Sequence, residues 1–398
     1  MRRYRELLRI PGVPLLWTSS IMARLPSTMR MLALPVFVTA SLGKGLGAAG
    51  LVGGLFTLGS AIGSPWLGRL TDHRGLRATF TVVTVAETAF WVAVPWMSYP
   101  VLVGCALFAG VLAAPAGTGT RTAIAAMVPG DQQRQAFALD AVVVEICYIL
   151  GGPLFTVLSG LTDVSVTLRV MAVLTLIGSG GFALLNPPTP RQLHGDAEGD
   201  HRLWRNPALL SQLFLRTSTF FVIMGAELAL LGILRQHGMD NAHLIGVLFG
   251  CWAVYSMIGS FLYGLVPHSI PQKWIIGLQA GLAVLACFSG DSWWTTALLI
   301  APMAVLTGPA VASFSEALTT VVSPRVLGQA AGMSGTAGTL GGSLGTIVVG
   351  FAVDHTAPVY GPLYAAAGGL LLLGLASLLS EVDEVRAKNM PEARQLRS

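Results

Sequence analysis

The sequence predicts an all-α membrane protein with twelve transmembrane helices, arranged as two pseudo-symmetric six-helix bundles with both termini in the cytoplasm. Three observations support this prediction: an apolar composition, twelve apolar runs of membrane-spanning length and an internal repeat. Of the 398 residues, 53% are hydrophobic and 11% are charged, and the mean hydropathy is +0.68. Because soluble domains contain about 25% charged residues, this composition excludes an ordinary soluble protein.

Other features of the composition exclude further classes of protein. The 47 glycines follow no Gly-X-Y period and apolar residues dominate, so the chain is neither collagen-like nor disordered. The net charge of +5 arises from Lys and Arg near the ends of spans, and we therefore expect the lipid bilayer, and no nucleic acid, as a partner. The four cysteines stand singly in apolar runs, which indicates neither disulfides nor a metal site. We expect no cofactor.

Twelve apolar runs are long enough to cross a membrane, for which a helix needs roughly 20 mostly apolar residues. The first run is too long for a signal-peptide core and is predicted as a span. The runs lie near residues 13–40, 47–68, 78–97, 100–119, 135–160, 167–186, 208–234, 243–265, 274–290, 293–321, 329–352 and 361–380.

The distribution of basic residues predicts the orientation of the chain, because cytoplasmic loops hold the excess of Lys and Arg. With the N-terminus in the cytoplasm, most of the 24 Lys and Arg residues fall in cytoplasmic segments or within spans. Three lie outside: Lys44, Arg169 and Arg235. An even number of spans then places the basic C-terminal tail in the cytoplasm as well.

The chain is predicted to consist of two similar halves. The longest polar break, residues 187–206, is a cytoplasmic linker between an N-terminal bundle, 1–186, and a C-terminal bundle with its tail, 207–398. An offset of 196 residues aligns the second span with the eighth. It pairs Gly50, Gly54, Ser60, Ile62, Gly63, Ser64 and Gly68 with Gly246, Gly250, Ser256, Ile258, Gly259, Ser260 and Gly264. Transporter halves repeated in this way are related by an axis along the membrane normal.

A short charged loop follows the second span and has the sequence Gly68-Arg-Leu-Thr-Asp72-His-Arg74-Gly75-Leu-Arg77. Gly68 permits close approach of a neighbouring helix, and Gly75 permits a turn that other residues disfavour. Asp72 is suited to capping the amide end of a facing helix or pairing with Arg.

This loop resembles the signature G-x-x-x-D-[RK]-x-G-[RK]-[RK] of the major facilitator superfamily. Gly68, Asp72, Gly75 and Arg77 match it, whereas His73 and Leu76 replace basic residues and Arg74 substitutes for one of them. The resemblance implies that the loop is a latch between the two halves, and we assign Gly68, Asp72, Arg74, Gly75, Arg77 and Asp140 to it. In the second half, His268 stands where Asp72 would fall, so the latch is predicted to be asymmetric.

The fifth span contains Gly151, Gly152 and Pro153, which resemble the glycine-proline core of the motif found in the fifth helix of proton-exchanging exporters in this superfamily. Pro153 is expected to kink the helix, and ordinary packing is the alternative explanation. The eleventh span is rich in glycine, which suits an interface that moves.

Carboxylates within the spans are candidates for proton coupling, since a charge at the bilayer centre costs about 2.5 to 3.5 kcal/mol. Glu145 is the first choice, with a structural ion pair to Arg as the alternative. Glu227 and Glu316 lie on helices that line the cavity in the superfamily, so each is a proton site, a substrate ligand or a salt-bridge partner. Asp140 is expected to pair with Arg residues near the latch, and Glu87 to have a structural or interfacial role.

Arg24 and Arg216 occupy similar places in the first helix of each half. We assign both, with Glu227 and Glu316, to a substrate cavity, where the two cations either favour an anionic substrate or pair with carboxylates. Arg30 is close enough to the outer end of its span to extend to the membrane surface.

The resemblance implies a secondary transporter of the inner membrane, which we expect to be monomeric and to export a small amphipathic compound in exchange for protons by alternating access. Nothing in the sequence resembles an enzyme, since no Walker loop and no nucleophile-base pattern is present. Two alternatives stay open. One is proton-coupled uptake or facilitated diffusion of a small solute, including an anionic one, and the other is a membrane sensor that does not transport.

Overall fold

The computed structural model describes residues 6–189, 203, 206–239, 242–266, 270–290 and 292–389. Every regular element in these ranges is helical, which confirms the all-α prediction. The α-helices are α1 Val13–Val36, α2 Leu46–Ala93, α3 Tyr99–Val111, α4 Ala116–Met127, α5 Gly130–Leu161, α6 Val164–Leu185, α7 Pro207–Gln236, α8 Ala242–Leu265, α9 Gln272–Ala283, α10 Trp293–Val321, α11 Leu327–Asp354 and α12 Gly361–Asn389.

Ten helical segments in the described residues are long and apolar enough to cross a membrane. One of them, Ala48–Trp96, contains the non-helical backbone of Gly75 (φ 79°, ψ 171°), where the sequence analysis divides it into two spans. A further apolar helix, Gln272–Phe288, is shorter than these ten. The multi-span architecture is thus confirmed, whereas the count of twelve stays a prediction.

Prolines mark the irregular points of the first half. Pro35 lies at the end of α1 and is followed by a π-helical turn, Phe37–Ser41. The fourth span is broken after α3 and resumes at α4, whose N-cap residue is Pro115. Because proline lacks an N–H group, such breaks leave backbone carbonyls and amides that need other partners.

The chain divides into two compact units. The first comprises Met1–Ala197 with Ser323–Thr336, and the second comprises Glu198–Val322 with Ala337–Ser398. The division falls within the predicted linker, of which positions 190–202, 204 and 205 lie outside the described residues. Helix α11 is shared, since its residues up to Thr336 cluster with the first unit and the rest with the second.

Each unit has its own apolar core. In the first, α1, α2, α3, α5 and α6 surround the fully buried side chains of Phe56 and Trp91. In the second, α7, α8, α9, α10, α11 and α12 surround Leu248 and Ile300. Many large apolar side chains elsewhere are exposed, as expected where lipid is the solvent.

The internal repeat is visible in how each unit packs. A Cβ atom on Gly63 of α2 would overlap the backbone carbonyl of Val111 at the end of α3. In the second unit, a Cβ on Gly259 of α8 would overlap the backbone carbonyl of Val305 on α10. Gly63 and Gly259 are paired by the 196-residue offset, so the repeat includes the same close helix contact in both halves.

Candidate functional site

A buried cluster of three charged side chains lies in the first unit, and we call Arg24, Arg121 and Asp140 the charge cluster. The Arg24 Nη1 atom lies 2.7 Å from Asp140 Oδ1, and Arg121 Nε lies 3.4 Å from Asp140 Oδ2. The Asp140 side chain is 1% exposed, that of Arg24 7% and that of Arg121 20%. Two guanidinium groups therefore share the Asp140 carboxylate.

Three helices bring the charge cluster together. Arg24 lies on α1, Arg121 in the second turn of α4 and Asp140 on α5. The hydroxyl of Thr120 donates a hydrogen bond of 2.8 Å to the Ser20 hydroxyl, which ties α4 to α1 next to the cluster. This hydrogen bond joins α4 to α1 at the residues that neighbour Arg121 and Arg24.

Arg121 is not among the site residues that the sequence predicts. The predicted fourth span ends at residue 119 and places Arg121 in a cytoplasmic segment, whereas α4 continues as a helix to Met127. The signal available was the apolar segment Ala123–Met127, which follows Arg121 and extends the span beyond it.

Asp72 of the predicted latch caps the start of α11. Its Oδ1 and Oδ2 atoms accept hydrogen bonds of 2.7 Å each from the backbone N–H groups of Gly328 and Gln329. Asp72 is 4% exposed. Since the first amides of a helix lack partners and carry partial positive charge, a buried carboxylate is well placed there.

The other residues of the loop fit this contact. A Cβ on Gly68 would overlap the backbone carbonyl of Gly328, so only glycine allows the two segments to approach this closely. Gly75 has a positive φ of 79°, which favours glycine. Arg74 and Arg77 are exposed.

The contact extends along α2 and the first turns of α11, all within the first unit. The Ser64 hydroxyl donates to the Gly332 carbonyl at 3.0 Å, and the Thr336 hydroxyl donates to the Ala61 carbonyl at 2.6 Å. We call residues 61–72 with 327–336 the α2–α11 contact. His268, the counterpart of Asp72 in the second half, lies outside the described residues.

Asp140 lies in the charge cluster and forms its ion pairs with Arg24 and Arg121. The sequence predicts that Asp140 belongs to the latch and pairs with Arg residues around it. Within the described part of the chain, its ion-pair partners are on α1 and α4 and do not include Arg74 or Arg77.

Arg216 of the second unit is held by aromatic rings. Its guanidinium carbon lies 4.4 Å from the ring centre of Phe220 and 5.2 Å from that of Phe314. The residue is 6% exposed. A desolvated cation over an aromatic face gains electrostatic stabilisation from the ring quadrupole.

The three predicted proton-coupling carboxylates are all half-buried. Glu316 on α10 accepts a 3.0 Å hydrogen bond from the Tyr263 hydroxyl on α8. Glu145 lies on α5 five residues after Asp140, and Glu227 lies on α7. The structure therefore distributes these carboxylates over both units.

Glu87 has the structural surroundings that the sequence analysis favoured. Its Oε2 atom accepts the backbone N–H of Ala114 at 2.8 Å, in the break between α3 and α4. Its Oε1 atom lies 3.4 Å from Trp91 Nε1, which donates to it. Arg30 interacts electrostatically with Glu87, and its guanidinium carbon lies 4.3 Å from the ring centre of Phe56.

The predicted kink element lies where α5 passes α1. A Cβ on Gly151 would overlap the Thr28 side chain, whereas one on Gly152 would meet Leu32 at an ordinary 3.6 Å. Helix α5 continues through Pro153 to Leu161. Gly151 thus permits close packing of α5 against α1 at Thr28, which lies four residues after Arg24 of the charge cluster.

Comparison with known proteins identifies the family. A model of the Major Facilitator Superfamily matches residues 16–346. The chain belongs to this superfamily. The resemblance seen in the Gly68–Arg77 loop is thereby confirmed, and the protein is a multi-pass membrane transporter of the inner membrane.

Two relatives of the transporter match over most of their length. An MFS-type transporter, y4rN, of Sinorhizobium fredii (strain NBRC 101917 / NGR234) is 24% identical over 380 residues, which cover 89% of this chain and 91% of the relative. A chloramphenicol resistance protein of Streptomyces lividans is 25% identical over 360 residues, covering 86% of this chain and 88% of the relative.

Solved structures share the fold of the transporter. A bacterial homologue of the iron transporter ferroportin, in an outward-facing state, has a TM-score of 0.73 at 13% identity and covers 92% of this chain and 99% of its own. The human organic anion transporter MFSD10 has a TM-score of 0.71 at 15% identity, with coverage of 91% and 98%. At these identities the likeness shows the fold alone.

Proposed function

We propose that the protein exports a small amphipathic compound in exchange for protons, by alternating access. The observation that most supports this proposal is the cap that Asp72 forms on the first amides of α11. A buried carboxylate bound to two backbone amides is a strong contact that holds only while the helix end faces it. Such a contact is suited to stabilising one of the two conformations between which an alternating-access transporter moves.

Helix α11 is divided between the two units, and this division indicates why the α2–α11 contact would break when the two halves move. Residues 327–336 belong to the first unit and 337–354 to the second. Within the second unit, Cβ atoms on Gly341 and Gly345 would overlap the backbone of Thr217 and Phe221 on α7. We infer that α11 moves with residues 207–398 and leaves α2 when those residues rock against residues 1–186.

The proposed topology has twelve spans with both termini in the cytoplasm. It counts α2 as two spans divided at Gly75 and counts Gln272–Phe288 as a further span. The α2–α11 contact, at the basic loop that follows the second span, would then lie near the cytoplasmic face. Its closure would seal the protein on that side and leave access from outside.

The proposed coupling places the proton on carboxylates within the spans. Glu145 is the first candidate, with Glu227 or Glu316 as a second site, because each is half-buried on a helix whose neighbours include buried cations or polar groups. Carboxylates inside spans form the proton relays of many pumps and transporters. Protons from outside would bind there and leave to the cytoplasm as the compound moves out.

Chloramphenicol is the first compound to test as a substrate. The relative from Streptomyces lividans carries chloramphenicol resistance in its name, and chloramphenicol is small and amphipathic. Export is also the direction that the Gly151–Gly152–Pro153 element supports through its resemblance to exporters.

A vesicle experiment tests the proposal. The purified protein is reconstituted with an acidic lumen, chloramphenicol is added outside, and a trapped dye reports lumenal pH. Inside-out molecules are expected to take up the compound while protons leave, so the lumen becomes more alkaline in a compound-dependent way. The response is expected to fall at least tenfold in Glu145→Gln, whereas Glu87→Gln serves as the matched carboxylate control outside the coupling path.

Two results would contradict parts of the proposal. An undiminished response in Glu145→Gln would remove that residue as the proton carrier. Accumulation of labelled chloramphenicol without any pH change would remove proton coupling. Vesicles of one known orientation separate export from uptake, since only an exporter accumulates the compound in inside-out vesicles with an acidic lumen.

A further inference from the structure

We propose that the ring of Tyr148 on α5 is a contact for an aromatic ring of the compound that the protein transports. This inference rests on the proposed transport function and specifies its substrate class as amphipathic compounds that contain an aromatic ring. Three observations in the first unit support it: the exposure of Tyr148 in mid-span, the face of α5 on which it lies, and its position next to Glu145.

Tyr148 is an exposed aromatic residue far from either end of its span. Its side chain is 51% exposed, and it lies near the middle of the apolar helix Gly130–Leu161. Tyr and Trp in membrane proteins are enriched at the two membrane surfaces, where they anchor a span. The position of Tyr148 does not fit such an anchoring role, so its exposure needs another explanation.

The lipid-facing side of α5 is opposite to Tyr148. Leu150, Val157 and Leu161 are exposed apolar residues spaced seven and four residues apart, which places them on one face of the helix. Val157 follows Tyr148 by nine residues, or about two and a half turns, so these two side chains point to opposite sides. Tyr148 is therefore exposed on the side of α5 that faces away from this apolar face.

The neighbours of Tyr148 lie inside the first unit. Tyr148 interacts electrostatically with Arg30 on α1 and with Arg121 on α4. A side chain that lies near cations on two other helices faces those helices and not the surrounding lipid. Both arginines are half-buried, so part of each is accessible to water. The exposed surface of the Tyr148 ring thus borders a polar space that an amphipathic compound can enter.

Glu145 lies three residues before Tyr148, so the two side chains are neighbours on the surface of α5. Glu145 is the first candidate for the proton carrier. A compound whose ring stacks on Tyr148 would lie within about one helical turn of this carboxyl group. The contact would therefore bring the compound and the proton that is exchanged for it to one place on α5.

The first experiment tests which way position 148 faces. The four native cysteines are replaced by serine, Tyr148→Cys or Val157→Cys is introduced, and the full-length protein is treated in vesicles with the charged reagent 2-sulfonatoethyl methanethiosulfonate. Val157 is the matched control, since it is 55% exposed on the opposite face. Labelling is expected to be at least tenfold faster in Tyr148→Cys. Equal rates, or faster labelling of Val157→Cys, would overturn the proposal.

The second experiment tests recognition of an aromatic ring with two probes, 3-phenyl-1-propanol and 3-cyclohexyl-1-propanol, and thermal unfolding of the purified protein in detergent. The cyclohexyl ring is the more apolar of the two, so a site that recognises only apolar area would prefer it, whereas ring stacking favours the phenyl probe. The phenyl probe is expected to raise the unfolding temperature more. Its apparent Kd is expected to weaken at least fivefold in Tyr148→Leu and to stay within twofold in Tyr148→Phe.

The control variant is Val157→Leu, which changes the opposite face and is expected to keep the wild-type response to both probes. The unfolding temperature of each variant without probe reports whether the substitution disturbs the fold. Preference for the cyclohexyl probe, no stabilisation by either probe at millimolar concentration, or an unchanged phenyl response in Tyr148→Leu would each overturn the aromatic contact.

Failure of the contact is distinguishable from failure of the proposed transport. Chloramphenicol-driven proton movement with the same KM in wild type and Tyr148→Leu would overturn the contact and leave export standing. Fast labelling of Tyr148→Cys and phenyl binding that depends on Tyr148, with no proton movement for any compound, would support the contact and overturn proton-coupled export.

Discussion

Arg24 and Arg216 lie on the first helix of their respective halves and are both buried, and the contacts described for them involve different neighbours. Arg24 is ion-paired with Asp140 at 2.7 Å, next to a second arginine. The Arg216 guanidinium lies against the rings of Phe220 and Phe314. Both a carboxylate and an aromatic face stabilise a desolvated guanidinium group.

The internal repeat preserves close helix packing in the two halves, but it does not preserve the positions of the charged side chains. The paired glycines Gly63 and Gly259 make the same close backbone contact in both units. The charged residues do not follow the same offset, because Ser20 is the counterpart of Arg216 at 196 residues and Thr120 is the counterpart of Glu316. The two halves thus share a scaffold while each has its own polar groups.

The largest expected effect is that of Asp140→Asn. The substitution removes the carboxylate that pairs with both Arg24 and Arg121, and breaking a buried ion pair costs about 3 to 5 kcal/mol. Thermal unfolding in detergent should show a strongly lowered midpoint. The double variant Arg24→Gln/Asp140→Asn should recover part of the loss, and a double variant no more stable than Asp140→Asn would argue against mutual repulsion.

A smaller loss, equal in the two halves, is expected for Gly63→Ala and Gly259→Ala. Each added methyl group meets a backbone carbonyl, at Val111 or Val305, and such overpacking costs about 1 to 3 kcal/mol. The matched controls are Gly54→Ala and Gly250→Ala, the next repeat pair, where a Cβ meets nothing within 4 Å. Unequal losses at Gly63 and Gly259 would show that the scaffold is not shared at this contact.

A double-mutant cycle on Arg216→Lys and Phe220→Leu is expected to give a coupling free energy of about 0.5 to 2 kcal/mol. Lysine keeps the charge but loses the planar face that stacks on the ring. A coupling near zero for Arg216 and Phe220 would mean that the rings contribute no stabilisation.

The smallest expected effect is a change in how the unfolding temperature depends on pH, and it involves two residues that cap helices. Asp163 caps α6 and Asn206 caps α7, each by accepting two backbone N–H groups. The N–H groups of Val166 and Ser165 hold the pKa of Asp163 below its ordinary value. A lowered pKa in the folded state means that the cap stabilises the protein at neutral pH and loses this contribution as the pH falls through that pKa.

Asp163→Asn is therefore expected to leave the unfolding temperature at pH 7 nearly unchanged and to reduce its decrease between pH 5 and pH 3. Asn206→Asp should add a small pH dependence of the same sign. Parallel curves for wild type and Asp163→Asn would show that this cap does not contribute to acid sensitivity.

The fold could be predicted because lipid imposes simple rules on a sequence. Apolar runs of about 20 residues and basic loops follow from the cost of exposing polar groups to hydrocarbon. The cap by Asp72 could be anticipated from its spacing to Gly68 and Gly75, since glycine marks close approach and a carboxylate suits a helix start.

The details of the site could not be predicted, because they depend on which helices face one another. Phe220 lies one helical turn from Arg216 and is visible in the sequence, whereas Phe314 is contributed by another helix. Arg121 was assigned to a loop because the break at Pro115 and the helix beyond it shift the span along the chain. The ion pairs of Asp140 with Arg24 and Arg121 could not be predicted either, because they depend on where α1 and α4 lie beside α5.

The most direct test of alternating access is a reversible cross-link across the α2–α11 contact. Thr336 donates a hydrogen bond to the Ala61 carbonyl, so cysteines at these two positions lie close together. Cys105, Cys147, Cys251 and Cys287 are first replaced by serine, and a short bifunctional methanethiosulfonate reagent then joins Ala61→Cys to Thr336→Cys in vesicles. Compound-driven proton movement is expected to fall at least tenfold on cross-linking and to return on reduction, with either single-cysteine variant unaffected. Cross-linked protein that transports at the uncross-linked rate would contradict the account, because the contact would then stay closed throughout the cycle.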